Sequence, residues 1–125
     1  MMNQNDNIVE DGRFALILVA PILPGKTEAW RRFVQETSDL HRHEYEASRR
    51  HLGIMAEWLW LVTIERRETA VIAVMAAHPE RIWGELAVSE RPFDLWYRQQ
   101  LVRLLGIELP SVPLVELGWS WQRRR

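Results

Sequence analysis

The sequence predicts a single α+β domain, an antiparallel sheet with helices packed on one face. Three observations predict it. Apolar runs of strand length recur at Phe14–Ala20, Met55–Glu65 and Thr69–Ala77; a long stretch of helical period separates the first two; and the six Pro and six Gly fall singly, mostly at the expected element boundaries. At 125 residues there is room for one core.

Residues 1–12 read as a flexible lead, residues 13–122 as the domain and residues 123–125 as a basic tail. Phe14 to Ala20 is apolar without alternation, as in a strand covered on both faces. Pro21 and Pro24-Gly25 end it. From Lys26 a helix of about 27 residues runs to Leu52-Gly53, with Thr27 as N-cap and Gly53 suited to the C-cap. Met55 to Glu65, centred on WLWLVTI, is rich in β-branched and aromatic residues. Glu65-Arg66-Arg67-Glu68 is a short hairpin connection that lacks the usual Asn-Gly or Asp-Gly pair. Thr69 to Ala77 makes the third strand, and His78-Pro79-Glu80 opens a helix ending near Ser89. Pro92 splits the second helical region, which resumes from Phe93 to Leu105 and stops at Gly106. After Pro110 and Pro113 a last strand is expected from Leu114 to Gln122. The order β-α-β-β-α-β is the split βαβ, or ferredoxin-like, pattern.

Composition excludes several function classes. The net charge of −1 gives no field favouring nucleic acid or an anionic membrane. The absence of cysteine removes disulfides, thiol catalysis and cysteine-held clusters, and accords with a reducing cytoplasm, where the protein is expected. The start, MMNQNDNIVEDG, lacks a signal-peptide pattern, and the longest apolar run, Phe14 to Leu23, is about half the length that spans a bilayer. Seven Trp in a small chain exceed what one core readily buries. Both registers of the strands are apolar, so a sheet with helices on one side needs a second cover. A homodimer formed through the sheet supplies it most simply.

The run Ser48-Arg49-Arg50-His51-Leu52-Gly53-Ile54 with Glu57-Trp58, then His78-Pro79-Glu80-Arg81 and Pro92-Phe93-Asp94-Leu95-Trp96, resembles a small bacterial family of the dimeric α/β-barrel superfamily, to which the antibiotic-biosynthesis-type monooxygenases belong. The resemblance implies a cavity between helices and sheet, and cofactor-free monooxygenase chemistry as one use of it. No catalytic motif of that superfamily maps onto this chain residue by residue.

The residues themselves direct attention to the long helix. Its apolar side is set by Trp30, Phe33, Val34 and Leu52, and at 100° per residue Thr37, His41, Glu44 and Ser48 fall on that same side. His41 and Glu44, three residues apart, are the candidate catalytic pair, since imidazole and carboxylate can share a proton near neutral pH. The competing reading leaves them in water or satisfying one another. His51 extends the cluster. Arg49 and Arg50 suit an anion, or else an ion pair with Glu46 or Glu57. Trp58, Trp60, Trp96, Tyr97 and Gln100 are candidate walls of a cavity for an apolar or aromatic molecule, and Asp94 suits a helix first turn. No metal set with ligand spacing, phosphate loop or nucleophile elbow is present, so no cofactor is expected. Three functions remain open: a homodimer binding a small apolar or aromatic molecule, a monooxygenase-like enzyme, and a non-enzymatic structural or regulatory dimer.

Overall fold

A computed structural model describes residues 14–109. The elements run β1 (Phe14–Pro21), α1 (Thr27–Ser38), α2 (Arg42–His51), β2 (Ile54–Ile64), β3 (Arg67–Ala76), a 3-10 turn (Pro79–Arg81), α3 (Ile82–Val88) and α4 (Pro92–Leu105). β3 lies in the middle of the sheet, antiparallel to both neighbours, in the order β1-β3-β2. The lead expected at 1–12, the strand expected at Leu114–Gln122 and the tail at 123–125 lie outside the described residues.

The expected ferredoxin-like dimeric α/β-barrel is corrected. Among the described residues the fold is a mixed α+β one, with a three-stranded antiparallel sheet and four α-helices, and the sheet is not closed into a barrel. Closure requires the two outermost strands to bond each other. Among the described residues β1 and β2 each bond β3 alone.

One sheet face is the core. Leu18 and Ala20 of β1 and Ala70, Ile72, Val74 and Ala76 of β3 are buried beneath Trp30 and Phe33 of α1, Ile82 and Leu86 of α3, and Phe93, Tyr97, Leu101 and Leu104 of α4. The alternate residues form the other face, where Ile17, Val19, Trp58, Trp60, Val62 and Ile64 are exposed. Strand period explains the division: Ile17 and Trp58 both register with Ala73, and Val19 and Trp60 both register with Val71.

The single helix expected from Lys26 to Leu52 is two. Thr37 Oγ1 donates to the Phe33 carbonyl (2.8 Å) and Ser38 Oγ to that of Gln35 (3.0 Å), back-bonding that bends helices. With Asp39 next, three poor helix formers end α1 without any Gly or Pro. The His41 N–H reaches back five residues to the Glu36 carbonyl, and α2 restarts at Arg42. Thr27 does not cap α1. Lys26 occupies that position, and the Thr27 hydroxyl donates to Glu68 across the connection to the sheet.

The second split falls where it is expected, between Ser89 and Pro92. The chain leaves helix at Ser89, and Pro92 begins α4, where a missing N–H costs nothing. Arg98 holds the gap closed by donating to the carbonyls of Leu86 (2.6 Å) and Ser89 (2.7 Å) at the end of α3. Gly106, at φ +69°, ends α4 in the left-handed conformation.

Candidate functional site

The dominant polar feature lies where α2 crosses β2 and α4. Tyr45, Ser48 and Arg49 sit at positions i, i+3 and i+4 of α2 and so share one face. Glu57 meets them from β2, in register with the core residue Val74 and therefore facing the helices. Asp94 and Tyr97, three apart on α4, complete the group.

Arg49 Nε donates to Glu57 Oε1 at 2.7 Å, with the two side chains only 7% and 3% exposed. The Tyr45 hydroxyl donates to the same oxygen (2.7 Å) and the Tyr97 hydroxyl to Glu57 Oε2 (3.2 Å). The guanidinium carbon lies 4.4 Å from the Tyr97 ring centroid and 4.8 Å from that of Tyr45, within cation–π range of both. Arg49 Nη1 donates to Ser48 Oγ (2.8 Å), which donates to Asp94 Oδ1 (2.5 Å), and Ser89 donates to the other Asp94 oxygen. The result is one continuous chain from Ser89 to Tyr45.

A charge pair this buried is expensive to desolvate and persists only when its remaining valences are met. Among the described residues no buried side-chain nitrogen or oxygen lacks a partner. Burial, then the Glu57 charge, pushes the Tyr45 and Tyr97 hydroxyls far above the ordinary tyrosine range. Burial alone would weaken the Arg49 charge, but Glu57 and the tyrosines outweigh it and hold the guanidinium more firmly protonated than usual. Both tyrosines are thus locked as donors and both Glu57 oxygens are occupied as acceptors. The group positions three elements.

The structure brings together Ser48, Arg49 and Tyr97 from the residues singled out in the sequence, and adds Tyr45, Glu57, Asp94 and Ser89. Of these, Glu57 entered only as an ion-pair partner for Arg49, which it is. Tyr45 was not anticipated, although its place four residues before Arg49 was a usable signal.

His41 and Glu44 are elsewhere. His41 Nδ1 stands 4.0 Å from Glu44 Oε1, and the side chains are 34% and 59% exposed. The imidazole packs on Trp96, with centroids 4.6 Å apart. The break at Asp39–His41 interrupts the periodic count that aligned them with Trp30 and Phe33. Trp96 also packs on Phe33 and Phe93, whereas Gln100 accepts from Arg103. Trp58 and Trp60 stack on each other (6.3 Å, 15°) on the open sheet face, away from the helices.

Two clefts border the polar group. One, of about 440 Å³, opens between α2 and the start of β2, lined by Tyr45, Glu46, Arg49, Arg50, Ile54, Met55, Ala56 and Glu57. The other, of about 690 Å³, is lined by His51, Leu52, Glu85, Val88, Ser89, Glu90 and Arg91. Neither touches His41 or Glu44. Among the described residues no three His, Asp or Glu side chains converge to hold a metal ion, and no helix is long and apolar enough to cross a membrane.

No family model, curated protein or solved structure matches the chain. With no match and an open sheet, the resemblance to a dimeric α/β-barrel family is corrected to the fold described above: a small α+β domain with a three-stranded sheet.

Proposed function

We propose that this protein is a non-enzymatic, self-associating module whose working form is a homodimer joined through the open face of its sheet. The observation that carries the reading is the set of six large apolar side chains on that face: Ile17 and Val19 at 54% exposure, Trp58 at 41%, Trp60 at 48%, Val62 at 38% and Ile64 at 46%. In the open-face register only Arg67, at the hairpin end, is ionisable.

A face without charge at its centre strands any charge a partner brings, so it fits an equally flat apolar surface. A second copy carries such a surface, and two-fold symmetry makes it self-complementary. Two copies would bury roughly 1,000 Å² from these six side chains alone, about the lower bound for a specific interface. Removing that apolar surface from water is the driving force for association, set against the lost freedom of two partners. Glu57, Tyr45 and Tyr97 are engaged with one another and with Arg49, which supports a structural role for these residues.

Light scattering on the full chain should give twice the chain mass. Ile17→Glu and Trp60→Glu should each halve that mass while leaving the far-UV circular dichroism unchanged. A wild-type monomer overturns the reading, and dimerisation only after removal of residues 110–125 would assign that segment as the cover.

A further inference from the structure

We propose that the 440 Å³ cleft between α2 and the start of β2 is a binding site for a small organic monocarboxylate with an apolar body. The cleft has the volume of a small-molecule site. It sits beside an irregularity in β2, where Ile54 registers with Ala76 and Ala56 with the adjacent Met75, leaving Met55 unpaired and exposed. An extra residue of this kind bends a strand and opens space at its edge.

The key atom is Arg49 Nη2. Arg49 is buried, with Nε bound to Glu57, Nη1 bound to Ser48 and its plane flanked by two tyrosine rings. Among the described residues Nη2 makes no hydrogen bond, and no buried side-chain nitrogen is left without a partner. Nη2 therefore keeps contact with solvent, and the cleft that Arg49 lines supplies it. The guanidinium is held on its other sides and presents a fixed donor to the opening, the preorganisation that carboxylate recognition uses.

Charge at the cleft selects the ligand. Glu57 is neutralised by Arg49, and the rim residue Glu46 is held by Arg42 at 3.2 Å. Arg50, exposed at the mouth, has no ion pair among the described residues. One uncompensated positive charge beside two carboxylates suits a monoanion and disfavours a dianion such as sulfate. Ile54, Met55 and the Tyr45 ring offer contact to an apolar body. The proposal does not rest on dimerisation.

Benzoate is the probe, followed by ligand-observed nuclear magnetic resonance on the full-length protein. Benzoate should bind, neutral benzamide of closely similar shape should not, and sulfate should bind more weakly. Arg50→Gln, a surface change, should weaken benzoate about tenfold, while Arg32→Gln on α1 should not. The Arg49 side-chain nitrogen signals should shift on addition of benzoate, which tests the buried donor without mutating it. Absence of benzoate binding, equal binding of the amide, tighter binding of sulfate, an unaffected Arg50→Gln variant or unmoved Arg49 signals would each overturn the proposal.

Discussion

Glu57 shows what one residue holds in place. Replacing it with Gln removes the charge that offsets Arg49 and leaves a buried guanidinium facing a neutral amide. Breaking a buried pair in this way costs about 3–5 kcal/mol, a large share of a small domain's stability. Urea unfolding followed by circular dichroism should show that loss for Glu57→Gln, whereas the half-exposed Glu44→Gln should change stability by less than about 0.5 kcal/mol. The tyrosines give the same group a pH signature. An unfolded tyrosine releases its proton near pH 10, whereas Tyr45 and Tyr97 hold theirs to higher pH. Above pH 10 the folded state therefore binds more protons than the unfolded one, and stability falls as pH rises. It is fully present below pH 10. Urea midpoints measured at pH 8 and pH 11 should drop more for wild type than for Tyr45→Phe. The residue types of this group were legible in sequence, but their convergence was not. Glu57 and Tyr97 are 40 positions apart, and only tertiary packing puts both on Arg49.

The strands were the most legible elements, because runs such as WLWLVTI carry their own period and composition. The long helix was not, since its interruption rests on hydroxyls bonding back to carbonyls at Thr37 and Ser38 rather than on Gly or Pro. An alignment of faces counted across such a break fails at the far end, which is why His41 and Glu44 lie at the surface. The β2–β3 hairpin shows a local rule overridden. Glu65 and Arg66 form its two-residue loop with φ of +50° and +68°, a conformation that favours Asn and Gly. Side chains with a Cβ pay roughly 1–2 kcal/mol per residue there. Glu65→Asn combined with Arg66→Gly should stabilise the domain by about 1–2 kcal/mol, read as a raised urea midpoint with an unchanged slope.

At the scale of the molecule, the sequence had signalled two apolar sheet faces and helices for only one, and the described residues bear out that asymmetry. Trp30 is sealed in the core, while Trp58 and Trp60 lie on the open side. What composition could not supply was topology. An apolar strand reads the same in an open sheet as in a closed barrel, because closure depends on which strands are neighbours. That neighbour relation also orders assembly. Of the three strands among the described residues, β3 is the last to be synthesised, yet it bonds both of the others. β2 reaches it across a two-residue loop, at little entropic cost, whereas β1 must close a span holding both α1 and α2. Among the described residues no native pairing joins β1 to β2, so the local β2–β3 hairpin is the natural template on which the first strand docks.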